Sequence, residues 1–331
     1  MTSGGDNGRG ADARTRRTVD YLRLSVTDRC NFRCVYCMPP EGVEFRPHDE
    51  ILSYEDMAFF VSVAVEVGIS KVRLTGGEPL VRRGLADLVR MLRAIDGVED
   101  VSLTTNGTLL PRFAAELKAA GLSRVNISLD SLDPERYRLL SRGGDLGRAL
   151  AGVQAALDHD LQPVKINAVM LPELLGELEA FVALTRDRPL HVRFIEWMPV
   201  GSCGPRTDAE MLSRAELTAA LAGLGDLVDV EPPRGFGPAE YSRLAGHRGT
   251  LGFISSVSGH FCDDCNRLRL TADGKLRSCL FSDDEVEVRG AVRARDRQAT
   301  LQHMRDVLVG KTFDKRIAPV ANTRGMSQIG G

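Results

Sequence analysis

Short runs rich in Val, Ile and Leu recur along the first two thirds of the chain, and most are followed by stretches in which apolar residues return every three or four positions. Six of the runs read as strands, at 22–26, 71–74, 101–104, 124–129, 164–169 and 191–195. Between them, Met57, Phe60, Val61, Ala64 and Val65 mark one face of a helix. That helix begins after Ser53, with Asp56 three positions on as in a capping box, and stops at Gly68. Similar stripes occur at Leu85, Leu88, Val89 and Leu92, at Leu146, Ala149, Leu150, Val153 and Leu157, and at Leu174, Leu175, Leu178, Phe181 and Val182. Strand and helix in alternation predict an α/β fold on a parallel sheet. Six units fall short of an eight-fold closed barrel, so the expected architecture is an incomplete, (βα)6-type partial TIM barrel.

In such folds the loops after the strand C-terminal ends build the site, and here those loops carry the distinctive residues. Strand one runs into Cys30, Cys34 and Cys37, strand two into Thr75-Gly76-Gly77-Glu78-Pro79, strand three into Thr105-Asn106-Gly107 and strand four into Asp130. After residue 200 the pattern loosens into loops rich in Gly and Pro, interrupted by a short helix after Ser213 with Glu216 three positions on. The expected organisation is a disordered extension over 1–17, a barrel over 18–235, a C-terminal layer over 236–317 and a flexible tail over 318–331.

Composition narrows the partners. The 43 Lys and Arg against 45 Asp and Glu leave a net charge of −2, too balanced to attract nucleic acid or an anionic membrane as a whole. Any anion must be held by a local basic cluster. No apolar run approaches the roughly 18 residues of a membrane span, and residues 1–17 lack an apolar export core, so the expected compartment is the cytoplasm.

The chain has seven cysteines, which in a reducing compartment point to metal or redox chemistry instead of a disulfide framework. Cys203 stands apart and reads as a free thiol. The spacing Cys-x3-Cys-x2-Cys of Cys30, Cys34 and Cys37 supplies three thiolates; on a cubane cluster these hold three irons and leave the fourth open. The alternatives are a zinc site with three Cys and one His, or incidental reduced cysteines. Cys262, Cys265 and Cys279 form a second trio around a hairpin turning at Asp273-Gly274. Pairing about position 272 would set Cys265 opposite Cys279. A zinc ribbon with His260 as fourth ligand is the alternative there. On the hairpin, Arg267 and Arg269 share one face.

The stretches LRLSVTDRCNFRCVYCMPP, VRLTGGEPLVR, LTTNG, RVNISLDSL and SGHFCDDCNRLRLTADGKLRSCL resemble the radical S-adenosylmethionine superfamily, and within it the GTP 3′,8-cyclases of molybdenum cofactor biosynthesis. The resemblance covers nearly the whole chain after residue 18. It implies two 4Fe-4S clusters, the second in a C-terminal cluster-binding layer, with S-adenosylmethionine at the open iron of the first. It implies Tyr36, Gly77, Glu78, Ser128 and Met198 as contacts of that cofactor. It further implies Arg23, Arg73, Thr104, Lys165, Arg267 and Arg269 as contacts of GTP, whose guanine meets the second cluster. Arg193 is a further candidate, since buried cations ask for a partner; a triphosphate suits the guanidinium fork, and partner carboxylates are the alternative.

The implied reaction is hydrogen abstraction from the ribose 3′ carbon by a 5′-deoxyadenosyl radical, then closure onto carbon 8 of the guanine. The resemblance also favours a tail that carries Gly330 and Gly331 into the active site. It implies an external electron donor, suggests hand-off to the synthase of cyclic pyranopterin monophosphate, and leaves a homodimer open. Two other readings compete. A peptide-modifying radical enzyme would need a peptide groove in place of a triphosphate pocket, and a zinc-binding scaffold would hold zinc without iron.

Overall fold

The computed structural model describes residues 18–201, 203, 211–235, 237–259, 261–262, 265–311 and 324–330. The expected disorder of 1–17, the proposed ligand His260 and the terminal Gly331 lie outside the described residues.

All six expected strands form, as β1 (Tyr21–Ser25), β2 (Lys71–Thr75), β3 (Asp100–Thr105), β4 (Arg124–Ser128), β5 (Val164–Val169) and β6 (Leu190–Ile195). They lie side by side in chain order and parallel. The later strands β7 (Leu227–Asp229), β8 (Glu240–Leu244), β9 (Thr250–Ile254), β10 (Arg267–Leu270), β11 (Lys275–Arg277) and β12 (Val286–Glu287) extend both margins of the same sheet. β9 joins β6 and β10 joins β1, each parallel. Eight adjacent parallel strands therefore lie between antiparallel margins, and among the described residues β12 and β7 are the two edges of the sheet and do not pair with each other. The expected partial barrel is what the chain forms.

The connections are α1 (Tyr54–Ala64), α2 (Leu85–Arg93), α3 (Leu110–Ala119), α4 (Pro134–Ser141), α5 (Leu146–Asp158), α6 (Leu178–Ala183) and α7 (Arg214–Ala222), followed by α8 (Arg289–Arg293) and α9 (Arg297–Val309). The Ser53–Asp56 and Ser213–Glu216 capping boxes both form. The stripe from Leu174 to Val182 is divided: Pro172–Glu177 is a 3-10 turn, and only then does α6 begin. Four of the described helices escaped the periodicity reading: α3 and α4, each with Pro in its first turn, and α8 and α9.

Strand alternation sorts the sheet into two faces. On the outer face Leu22, Leu24, Val72, Leu74, Val101, Leu103, Val125, Ile127, Val164 and Ile166 pack into the main core with the helices. The inner face is polar. It carries Arg23, Arg73, Ser102, Thr104, Asn126, Ser128, Lys165, Asn167 and Arg193, a pattern that a two-sided apolar sheet would not show. Arg124 and Asp100 close the inner face toward the strand N-termini as a fully buried ion pair. Buried charge persists only when paired in this way or when a ligand supplies the partner.

Candidate active site

Cys30, Cys34 and Cys37 line a cavity at the C-terminal end of β1, together with the Gly76-Gly77-Glu78 loop. The loop is fixed by its own backbone, with the amides of Cys37 and Met38 donating to the Cys34 carbonyl at 2.9 and 3.0 Å. It is also tied to the end of α4, where Arg33 N donates to Ser141 O at 3.1 Å and Val35 N to Leu140 O at 2.9 Å. The two glycines serve this docking: Gly77 N donates to Thr27 O at 2.8 Å, and a Cβ on Gly77 would stand 2.2 Å from the Arg29 carbonyl oxygen. The close approach is therefore between the glycine loop and the backbone leading into Cys30.

Burial pushes the Cys30 thiol up to about 11 and the Cys37 thiol up to about 12, and holds Cys34 well above the usual thiol range. Without a metal these thiols keep their protons; a bound cation would displace them. Among the described residues no three His, Cys, Asp or Glu side chains converge on a single-ion site. A cluster presents a separate iron to each thiolate, so its ligands do not have to meet at one point.

Glu78 is almost fully buried, and burial raises its carboxyl to about 7. It accepts from Leu80 N at 3.0 Å and Thr105 Oγ1 at 2.7 Å through Oε1, and from Asn106 N at 2.7 Å through Oε2. A carboxylate has about four acceptor sites, so one is left beside these three donors on a residue that lines the cavity. Tyr36 donates to Asp130 Oδ2 at 2.7 Å, and Asp130 Oδ1 accepts from Val169 N at 2.9 Å. Ser128 and Met198 line the neighbouring central cavity, and Ser128 also borders the first trio.

Arg23 and Arg73 line that central cavity, and Arg269 lines the cavity of the second trio beside it. Arg23 is level with Arg73 across β1 and β2 and with Arg269 across β1 and β10, so three arginines stand in one row on adjacent strands. Burial, reinforced by Arg269 and Arg73, lowers Arg23 well below its ordinary value. Burial takes Arg73 and Arg269 down to about 10. Arg73 Nε and Thr104 Oγ1 are buried without a hydrogen-bond partner among the described residues.

Arg193 lines the same cavity, anchored by Asn167 Oδ1 at 2.9 Å from Nε and 2.6 Å from Nη2. With its amide oxygen turned toward them, Asn126 accepts from Arg73 and, at 2.8 Å, from Arg193. Lys165 is turned aside, donating to Pro233 O at 3.2 Å and Arg234 O at 2.9 Å. Burial, then Arg193, Arg124 and Arg73, take its ammonium down to about 6.

Cys262, Cys265 and Cys279 share a third cavity with Arg23, Arg267 and Arg269. The hairpin pairs Arg269 with Arg277 and Leu270 with Leu276, so its centre is at Asp273, not 272. Extending this register sets Cys279 level with Arg267 instead of Cys265. The shift arises because Thr271 N pairs with Lys275 O and Gly274, at φ +78°, closes the turn onto Thr271. Burial would raise the Cys265 thiol, but Arg267 and Lys311 outweigh it and bring it down to about 7. Arg267 lines both the central and the third cavity, and its guanidinium lies over the Phe261 ring, 4.8 Å from the centroid.

The described part of the tail enters this system. Met326 and Ser327 line the first-trio cavity, Ile329 packs with Val200 and Leu280, and Arg269 Nη1 donates to Gly330 O at 3.1 Å. Cys203 carries a free, half-buried thiol.

Several residues of this site are invisible to motif reading. Asn126 and Asn167 support the arginines and no motif gives them a role, whereas Asp130, marked at the end of strand four, supports Tyr36. Glu196 accepts from Val257 N at 2.8 Å and Ser258 N at 2.9 Å, holding the loop that leads to Cys262. Lys311 comes from beyond α9, with no sequence feature linking it to the trio.

A profile of the Radical SAM superfamily matches residues 24–185, and one of Molybdenum Cofactor Synthesis C matches residues 190–315. A curated GTP 3′,8-cyclase of Pelotomaculum thermopropionicum is 48% identical over 320 residues, covering 96% of this chain and 98% of its own. Those of Heliobacterium modesticaldum and Petrotoga mobilis are 46% and 51% identical, over 95% and 82% of this chain and 98% and 84% of their own. Among solved structures, Streptococcus suis SuiB bound to S-adenosylmethionine superposes with a TM-score of 0.59 over 93% of this chain and 77% of that one, at 12% identity; the likeness is one of fold. With the trio, the glycine loop and the open parallel sheet in place, and with identity near one half over almost its full length, the chain belongs to the GTP 3′,8-cyclase family of the radical SAM superfamily.

Proposed function

We propose that this chain cyclises GTP to (8S)-3′,8-cyclo-7,8-dihydroguanosine 5′-triphosphate in an S-adenosylmethionine-dependent radical reaction, the first step of molybdenum cofactor biosynthesis. The observation that carries the reading is a row of arginines across β2, β1 and β10, of which Arg23 and Arg73 line a central cavity that adjoins one cysteine trio through Ser128 and the other through Arg267, while Arg269 lines the cavity of the second trio. A triphosphate is the anion that such a row of guanidinium forks suits.

S-adenosylmethionine and one 4Fe-4S cluster are the cofactors of the superfamily; bound together they supply a 5′-deoxyadenosyl radical able to take a hydrogen atom from the ribose. Cys30, Cys34 and Cys37 would hold that cluster. Glu78, through its remaining acceptor site, would hold the cofactor's ammonium, with Tyr36, Gly77, Ser128 and Met198 around it. Arg23, Arg73, Arg193, Arg267 and Arg269 would bind the nucleotide, with Thr104 giving its unused hydroxyl and Lys165 its charge. Cys262, Cys265 and Cys279 would carry a second 4Fe-4S cluster facing the guanine. Gly330 and Gly331 would close the site against water.

The reaction needs an external electron donor. The product would pass to cyclic pyranopterin monophosphate synthase, and a homodimer is part of the same proposal. Among the described residues no helix is long and apolar enough to cross a membrane, and the cytoplasm is the proposed compartment.

The test is metal analysis of anaerobically prepared protein, then mass spectrometry of products formed with dithionite, S-adenosylmethionine and GTP. About eight irons per chain, with 5′-deoxyadenosine and a cyclised nucleotide, are expected. Zinc without iron overturns the reading, and deoxyadenosine without GTP turnover moves it to a peptide-modifying enzyme.

A further inference from the structure

We infer that Lys311 is a positioning residue for the second iron–sulfur cluster, a fixed positive charge held against the ligand sulfur of Cys265 that favours the reduced state of that centre. The inference rests on the reading that Cys262, Cys265 and Cys279 hold a cluster. Lys311 follows the C-terminal end of α9, and its side chain is buried under the hairpin. Nζ lies 3.7 Å from Cys265 Sγ, 3.0 Å from Arg267 O and 2.6 Å from Ser278 O. An ammonium has three N–H donors, and these three acceptors belong to a ligand cysteine and to the residues at the outer ends of the hairpin strands.

The ammonium therefore does two things at once. It fixes the spacing of the segment that bears Cys265 against the one that bears Cys279. It also places a unit charge beside one ligand sulfur, where hydrogen bonds and nearby charge set a cluster's potential. Arg267 and Arg269 line the cavity, but Lys311 does not. Replacing Lys311 therefore leaves the lining of that cavity in place and is expected to read the cluster apart from substrate binding.

The test uses the full chain, loaded anaerobically, with Lys311→Gln (a hydrogen-bond donor without charge) and Lys311→Arg (charge retained). Iron content and midpoint potentials are measured by EPR-monitored titration without GTP, the first cluster serving as internal reference. In Lys311→Gln the second centre is expected to move to a more negative potential, so that at the wild-type midpoint its ratio of reduced to oxidised form falls about tenfold, or about 59 mV for one electron. Lys311→Arg should stay near wild type, and the first centre should move in neither variant. An unchanged second midpoint in loaded Lys311→Gln overturns the inference. Loss of the second cluster from Lys311→Gln alone also supports a need for the charge, whereas loss from both variants reduces Lys311 to a backbone clamp and overturns it. About four irons per chain in the wild type would instead remove the second cluster itself, a distinct failure.

Discussion

Arg269 on the hairpin donates to the carbonyl oxygen of Gly330 at 3.1 Å, joining the arginine row to the chain's last described residue. Gly330 has φ +76°, and a Cβ there would stand 2.7 Å from Thr75 Oγ1 and 3.2 Å from Ser25 Cβ. Gly330→Ala is therefore both strained and obstructed. It should lower cyclisation about a hundredfold, the scale of a 1 Å misplacement, while iron content stays at the wild-type value. Adding one bulky residue after Gly331 should abolish cyclisation with the clusters intact. Product mass spectrometry beside iron analysis reads both, and full activity in either variant would exclude a role for the tail.

The tail is held at its other described end by a bidentate pair. Arg324 Nη1 and Nη2 donate to Asp273 Oδ1 and Oδ2 at 3.0 and 2.9 Å, and Nη2 lies 3.0 Å from Glu285. Although burial acts in the opposite sense, the hydrogen bonds from Arg324 and Thr271 hold the Asp273 carboxyl below its usual value. A carboxyl depressed in the folded state adds stability that is present above its unfolded value, about 3.9, and is lost as pH falls through the lower folded one. Limited carboxypeptidase digestion should trim Arg324→Ala faster than wild type at pH 7, and the difference should shrink as pH falls below the ordinary carboxylate value and the Asp273 carboxyl takes up its proton. Equal trimming at pH 7 would mean the pair does not hold the tail.

Arg193 is expected to bear directly on the nucleotide. Hydrogen bonds to charged groups contribute about 1.5–3 kcal/mol, so Arg193→Met should raise the GTP dissociation constant by roughly ten- to a hundredfold without changing S-adenosylmethionine affinity. Equilibrium dialysis of both ligands checks this, and an equal loss for the two would point to a damaged barrel instead.

Lys165, at about 6, is largely neutral at pH 7 in the free protein. A triphosphate in the arginine row favours the ammonium through its field and raises that value, so GTP binding should take up a proton near pH 7. Calorimetry in two buffers of different ionisation enthalpy measures the uptake. It should disappear in Lys165→Met; uptake that persists there belongs to another group.

Glu78 titrates near 7 because it is buried, and it can hold an ammonium only as a carboxylate. S-adenosylmethionine affinity should therefore rise as pH increases through about 7, and Glu78→Gln should bind weakly with no such rise. A pH-independent affinity in the wild-type protein would remove Glu78 from the cofactor site.

Much of this protein was legible in one dimension because its determinants are local. Six strands and the helices beginning after Ser53 and Ser213 follow from periodicity and caps that act within a few residues. The Cys30, Cys34, Cys37 loop is a spacing, and the polar alternation in β4 and β5 already sets Asn126, Lys165 and Asn167 on one face. α3, α4, α8 and α9 are not read from the sequence, although Pro in the first turn of α3 and α4 is itself a helix-start signal.

What depended on tertiary structure is how distant segments meet. Parallel pairing of β10 with β1 sets Arg269 beside Arg23, and no sequence pattern specifies which strand a C-terminal hairpin joins. The hairpin register turned on Gly274 and its bond to Thr271, one residue from the expected centre. The orientation of Lys165 toward the 233–234 carbonyls, the support of Arg193 by Asn167, and the approach of Lys311 to Cys265 are side-chain choices made by packing. Chain composition and spacing determine which chemistry this sequence carries; only the folded sheet, by bringing residues far apart in sequence within a few ångströms, decides which of those groups act on one another.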